Sequence, residues 1–253
     1  HVQCFGSGPT LLLLHGTGAA THSWRALAPL LARDFSVLAP DLPGHGFTDT
    51  PAGERQSIPG MAAAVADLLA ELGASPVLVA GHSAGAAVLA RIILDARIAP
   101  QALVALNGAL LPFTGVAGRV FAPVARTLAR RPWAWRWIAR RMGQEAAVAR
   151  MLRGIGSEIE PAGLAMYARL ARNPGHVAAA ITMMANWDLA GLRGELSRLA
   201  SPVYLVVGSR DLAVPPADAE RVAAGLPRAH VCPLERLGHL AHEEAPERAA
   251  ALI

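Results

Sequence analysis

The sequence predicts an α/β fold, a mostly parallel, doubly wound sheet interrupted once by a helical insertion. Three observations predict it. From residue 2 to 106, short apolar runs alternate with stretches of helical spacing, the pattern of strands and crossover helices that cover both faces of a parallel sheet. The alternation resumes at residue 203. Between them, from about 112 to 188, helical periodicity with Pro and Gly breaks runs on without a strand signal. The expected core is therefore 1–111 with 189–253, and 112–188 is the expected insertion.

Taken in order, Val2–Phe5 reads as an edge strand turned by Gly6-Ser7-Gly8-Pro9. Thr10–Leu14 is continuously apolar and reads as a buried parallel strand, ending in His15-Gly16-Thr17-Gly18. Ser23–Arg33 has helical spacing at Trp24, Leu27, Leu30 and Leu31. Phe35–Ala39 is the next strand and ends at Pro40-Asp41-Leu42-Pro43-Gly44-His45-Gly46. Ile58–Leu72 places Met61, Val65, Leu68, Leu69 and Leu72 on one helical face, with Gly73 as the stop signal. Pro76–Ala80 is a strand, Ala84 to about Asp95 a helix, and Ala102–Leu106 a strand ending at Asn107-Gly108. After the insertion come a strand at Val203–Val207, a helix around Ala217–Gly225, a short strand at His230–Cys232 and a final helix running to the end.

Composition narrows the function classes. No apolar run approaches the ~20 residues that span a bilayer, and no leader signature is visible, so a cytoplasmic location is the expectation. Cys4 and Cys232 fit neither a metal nor a redox spacing; two free thiols are expected, with a disulfide left open. No H-E-x-x-H or cysteine cluster appears, so neither a metal nor another cofactor is expected. All 23 basic residues are arginine. Nine of them lie in 119–153 against Glu145 alone, leaving +8 there and −4 over the rest of a chain of net charge +4. The chain is thus mildly acidic apart from one strongly basic segment, which its net charge conceals. No nucleic-acid-binding module is recognisable.

The chemistry centres on Gly81-His82-Ser83-Ala84-Gly85, between a strand and a helix. A Gly-x-Ser-x-Gly in that setting is a nucleophile elbow: the turn is so tight that flanking side chains would collide with the strand or helix, and the serine hydroxyl is left exposed. A serine needs a base, and histidine suits that task because it titrates near neutrality. A carboxylate behind the histidine fixes its tautomer. Asp211 and His239 follow at later strand ends, in the order Ser83, Asp211, His239. Asp211 competes with a helix-capping role, and Asp188 is a rival acid at the edge of the insertion. Asn107, at another strand end, is uncharged. His242 is a rival to His239 but fits inside a helix. His15, His22, His45 and His82 read as structural loop residues, with His82 also a candidate substrate contact.

These landmarks, taken with His15-Gly16-Thr17-Gly18, Asp41-Leu42-Pro43-Gly44-His45-Gly46, Gly208-Ser209-Arg210-Asp211 and Gly238-His239, resemble the α/β-hydrolases over nearly the whole chain. The resemblance implies an α/β-hydrolase fold with a cap after the sixth strand, where the insertion sits. It also implies an oxyanion hole from the backbone N–H groups of Thr17 and Ala84. Within that superfamily, HGTGAATHSW, DLPGHGFTDT, GHSAGAAVLARI, LNGALLPF, MMANWDL and LGHLAHEEAP resemble the magnesium-chelatase accessory proteins of bacteriochlorophyll synthesis. That resemblance implies a role near magnesium insertion into a tetrapyrrole, with magnesium chelatase as a partner and a peripheral position on the photosynthetic membrane.

Residues 130–141 combine three tryptophans with five arginines. On a helix, Trp133 and Trp137 share one face and Arg136 and Arg140 another. Core packing of the tryptophans, a membrane-surface patch, a site for an anionic planar ligand and a partner-protein surface all remain open. Candidate substrate contacts are His82, Trp24, Trp133, Trp137 and Arg136. The leading expectation is a serine hydrolase acting on an ester-like carbonyl of a small-molecule substrate. The alternatives are a non-catalytic accessory or porphyrin-binding protein on the same scaffold, and a C–C hydrolase, lyase or cofactor-free haloperoxidase using the same three residues.

Overall fold

The computed structural model describes residues 1–51, 56–112 and 123–253. Seven strands form one sheet: β1 (Val2–Phe5), β2 (Thr10–Leu14), β3 (Ser36–Pro40), β4 (Leu78–His82), β5 (Ala102–Leu106), β6 (Val203–Gly208) and β7 (Ala229–Leu234). Their spatial order is β1-β3-β2-β4-β5-β6-β7. Only β1 runs antiparallel, against β3 at the edge; every other pairing is parallel. β4 extends beyond its predicted end at Ala80 because β2 and β5 supply ladder partners as far as Gly81 and His82.

The apolar run of β2 explains the layering. Leu12 and Leu14 pack on one side with α2 (Ile58–Glu71) and α3 (Ala84–Leu94), while Leu11 and Leu13 pack on the other with Trp24 and α1 (Ala28–Leu31). A strand buried on both faces needs no polar alternation. The predicted helix over Ser23–Arg33 is instead a 3₁₀ turn at Thr21–Trp24 followed by α1, because Pro29 suits a new first turn rather than a helix interior.

Between β5 and β6 the described residues are helical at 123–129, then in α4 (Pro132–Met142), α5 (Glu145–Gly154), α6 (Pro161–Ala171), α7 (Pro174–Ala185) and α8 (Leu189–Glu195). Part of the expected insertion, 113–122 with Arg119, lies outside the described residues. In this chain's own count the helices follow the fifth strand. Asp188, the rival acid, is the N-cap of α8, its carboxylate accepting from the Ala190 N–H at 2.8 Å.

After β6 come α9 (Pro216–Ala223), β7, α10 (Ala241–Glu244) and α11 (Pro246–Ala250). The predicted single final helix is thus two. The break falls at Ala245 (φ −146°, ψ 70°), since a residue before proline is driven out of the helical region. Cys4 and Cys232 lie in strands at opposite edges of the sheet and are free thiols. No helix among the described residues is long and apolar enough to cross a membrane.

Candidate active site

The crevice of a doubly wound sheet opens where strand order reverses, at the carboxyl ends of the strands. Here β3 and β4 flank β2 on opposite sides, so the loops after β2 and β4 meet at that point. The loop after β4 carries Ser83 at φ 50°, ψ −116°, a backbone conformation that costs a non-glycine residue about 1–3 kcal/mol. Neighbours enforce it. Ser83 N–H donates to Leu106 O at 3.0 Å, and Ala109 N–H donates to Ser83 O at 3.0 Å. A Cβ on Gly81 would strike the backbone of Gly85 and Ala86, and one on Gly85 would strike Leu14 O. The elbow therefore requires both glycines.

Asp211 and His239 are brought together as expected from their strand-end positions. His239 Nδ1 lies 2.7 Å from Asp211 Oδ2. A carboxylate only accepts, so Nδ1 is assigned the proton, and Nε2 keeps its lone pair. The Asp211 side chain is fully buried and accepts three further hydrogen bonds: Ala213 and Val214 N–H to Oδ1 at 2.8 and 2.9 Å, and Asn107 Nδ2 to Oδ2 at 2.7 Å. Asn107 also donates to Gly238 O at 3.3 Å, so one amide ties the acid to the loop that bears the histidine. Sequence reasoning had used Asn107 only as an uncharged position.

The hydroxyl of Ser83 bonds no acceptor or donor among the described residues, and the residue is half-buried. Two N–H groups, one in the loop after β2 and one at the elbow, lack partners among the described residues as well. Thr17 N–H, in the loop after β2, donates to nothing described, and Ala84 N–H is the first of α3, where no intrahelical acceptor exists. The two loops are in contact, since a Cβ on Gly16 would sit 3.0 Å from Ser83 Cβ and 2.8 Å from His82 Nδ1. Ser83, Asp211 and His239 thus follow the carboxyl ends of β4, β6 and β7 in one sheet, with N–H groups at Thr17 and Ala84 that lack partners among the described residues. A hydroxyl, an imidazole backed by a carboxylate and free N–H donors are the group types that acyl transfer uses.

His15 and His176 hold loops together. His15 Nε2 accepts from Leu42 N–H at 2.9 Å and Nδ1 donates to Gly16 O at 2.8 Å, joining the loops after β2 and β3. Burial lowers its pKa to about 4. His176, which the sequence did not single out, accepts from Gly46 N–H at 3.2 Å and donates to Gly18 O at 3.1 Å, so α7 clamps the same two loops. Burial lowers its pKa also. Met183 of α7 touches the Thr17 hydroxyl, at 3.4 Å. His242 is completely buried between Trp24 and His82, at ring-centroid distances of 4.8 and 4.5 Å, away from Asp211's hydrogen bonds.

The five candidate substrate contacts are dispersed. His82 is buried, and its Nε2 donates to His239 O at 3.0 Å, so it supports the loop that bears His239. Trp24 is wholly inaccessible, packed in the core on the α1 side of the sheet. Trp133 and Trp137 are 66% and 56% exposed. They and Arg136 sit on the solvent face of α4, which packs on α5, α6 and α7, and they are not gathered with Ser83, Asp211 and His239.

The insertion nevertheless reaches the site. Its segment 155–157 packs on both loops that bear Asp211 and His239. Leu212 N–H donates to Ile155 O at 3.3 Å, and a Cβ on Gly238 would strike Gly156 O. Ser157 Oγ accepts from Leu240 N–H at 2.8 Å and donates to Glu244 Oε1 at 2.8 Å, which itself accepts from Gly238 N–H at 3.0 Å. The residues on both sides of His239 are thus fixed by one part-buried hydroxyl–carboxylate pair. Ser157→Ala is expected to lower kcat on an activated ester about tenfold at unchanged KM, a barrier increase of about 1.4 kcal/mol. A variant with a lower melting temperature and wild-type kcat would show that the pair only stabilises the fold.

Among the described residues, no three His, Cys, Asp or Glu side chains gather as a metal site. The model of a family described as "Alpha/beta hydrolase family" matches residues 11–252. The magnesium-chelatase 30 kDa subunit of Rhodobacter capsulatus is 40% identical over 246 residues, covering 97% of this chain and 86% of that protein. A pimeloyl-[acyl-carrier protein] methyl ester esterase of Nitrosomonas europaea is 27% identical over 98% of this chain and 95% of its own. Among solved structures, the epoxide hydrolase CorEH superposes with a TM-score of 0.84 at 24% identity, covering 99% of this chain and 92% of its own.

Proposed function

The chain belongs to the alpha/beta hydrolase family, and from that premise we propose that it is a serine hydrolase acting on an ester-like carbonyl through an acyl-enzyme. The observation that carries this reading is the buried Asp211–His239 hydrogen bond, found in the same sheet's strand-end loops as a strained Ser83 whose hydroxyl has no partner among the described residues. Ser83 Oγ attacks the carbonyl carbon and its proton passes to His239 Nε2. The carbonyl electrons move onto oxygen, held by the N–H groups of Thr17 and Ala84 at the positive end of α3. Collapse breaks the bond to the leaving alcohol, which takes the proton from Nε2. Water then gives a proton to Nε2, attacks the acyl carbon, and the proton returns to Ser83 Oγ as the acid leaves. Asp211 holds the tautomer and stabilises the imidazolium that forms in each half.

The physiological setting we propose is magnesium-tetrapyrrole biosynthesis, as an accessory factor to magnesium chelatase with a small-molecule, tetrapyrrole-related substrate. The 40% identity to a protein named as a chelatase subunit, sustained over 97% of the chain, supports it.

A fluorophosphonate probe tests the chemistry without knowledge of the substrate. An activated serine displaces fluoride and retains the phosphonyl group. The expected result is one adduct, located at Ser83 by peptide mass, formed far more slowly in His239→Ala. A folded wild-type protein that leaves Ser83 unlabelled would remove the proposal.

A further inference from the structure

α4 is turned inside out for a surface helix. Its small residues Ala134 and Ala139 are buried, with Trp135 and Ile138 packed against Val177 and Ile181 of α7. Its opposite stripe, at spacing i, i+3, i+4, i+7, i+8, is Trp133, Arg136, Trp137, Arg140 and Arg141, all exposed. The tryptophans and arginines therefore share one continuous face, where separate faces had been expected. The remaining tryptophans of the chain, Trp24, Trp135 and Trp187, are buried or half-buried. Two large aromatic rings left in water on the same helix need a reason.

The charge around them is uncompensated. Arg130, Arg131, Arg136, Arg140, Arg141, Arg150 and Arg153 pair with no carboxylate among the described residues, whereas Arg25, Arg91, Arg97, Arg198 and Arg221 do. The Arg141 guanidinium stands 5.3 Å above the Trp137 ring, the cation–π geometry that keeps charge and ring on one surface. Two depressions lie among these arginines. One, of about 400 Å³, is lined by Arg126, Thr127, Arg130 and Arg131. The other, of about 430 Å³, includes Arg136, Arg140 and Arg172. Forked guanidinium donors in shallow basins suit phosphate oxygens.

We propose that the outer face of α4 docks on an anionic lipid bilayer. The 11-residue helix lies in the interfacial plane, its tryptophans at headgroup depth and its arginines against lipid phosphates. Charge complementarity selects this occupant: the surface is strongly cationic, and its apolar groups are the interfacial kind rather than aliphatic. α7, which supports α4, also touches the Thr17 loop through Met183, so one helix connects the docking face to the candidate site.

Co-sedimentation with phosphatidylcholine vesicles, with and without phosphatidylglycerol, tests this. Binding only to the anionic vesicles is expected, weakened by salt, with a blue shift of tryptophan emission. Trp133→Ala/Trp137→Ala and Arg136→Ser/Arg140→Ser/Arg141→Ser are each expected to lower partitioning at least about tenfold while keeping the wild-type circular dichroism spectrum. Equal binding to neutral vesicles, or wild-type binding by both variants, would overturn the proposal. So would absence of lipid binding combined with a self-association or chelatase contact that the same variants abolish, which would make this a protein-binding face. None of these readouts depends on Ser83, so the hydrolase reading can fail without affecting them.

Discussion

Ser83→Ala is expected to lower kcat on aryl esters by about 10⁴-fold or more, because a hydroxyl nucleophile and its base act as a unit. Alanine occupies the same strained φ and adds no atoms, so the melting temperature should stay within a few degrees of wild type. Asp211→Asn is expected to cost about 10⁴-fold by a different route: an amide donating to His239 Nδ1 would leave the proton on Nε2, where it blocks the base. Turnover by Ser83→Ala at the wild-type rate would sink the acyl-enzyme mechanism. The same variant separates chemistry from scaffolding in the cell. If it restores pigment synthesis to a null strain, turnover is dispensable; if it fails while folded, a purely binding role is excluded.

Acidification is expected to destabilise the protein sharply between pH 7 and 5.5. Burial lowers the pKa of His15 to about 4 and of His22 and His242 to about 3, and it lowers His45, His82 and His176 as well. These groups stay neutral in the folded state but bind protons once unfolded below their ordinary pKa of 6.5. Stability is therefore full above pH 6.5 and lost as pH falls through it. His15, His22 and His242 each remove about 1 kcal/mol by pH 5.5, and the other three act in the same direction. Glu243 acts in the opposite sense. Burial raises its carboxyl to about 7, so protonation on acidification favours the folded state by about 1.5 kcal/mol. The histidines outnumber it, and the melting temperature should fall by about 10 °C. His242→Leu should reduce that fall by about a tenth to a fifth. A melting temperature flat across this range would contradict the burial of neutral rings.

What could be read in advance divides along a physical line. Ala102–Leu106 was located to the residue, because a strand covered on both faces writes its burial as an uninterrupted apolar run. The strand-end placement of Ser83, Asp211 and His239 was legible because strand ends carry a loop signature within a few residues. Asn107, Ser157, His176 and Glu244 were not. Asn107 reaches Asp211 across 104 residues, His176 reaches Gly46 across 130, and Ser157 reaches Glu244 across 87. No local spacing encodes such pairs. Trp24 and Trp133 show the same limit from the other side. Helical periodicity gives which side chains share a face but not which face turns inward, and the two tryptophans took opposite answers. The break before Pro246 was, by contrast, written in the sequence and passed over.

The contact of segment 155–157 with the Gly238 and Leu240 amides bears on how this architecture tolerates engineering and divergence. An insertion that merely roofed a crevice could be trimmed, swapped between relatives or replaced by a short linker with the machinery below intact. Here the insertion also supplies a bracket for the loop that bears His239. A lidless version would lose the acceptor at Ser157 Oγ that fixes Leu240, along with half of the support for Glu244. Grafting a foreign lid onto this sheet would need that short segment carried over with its serine, or the base would be left on a loosened hinge.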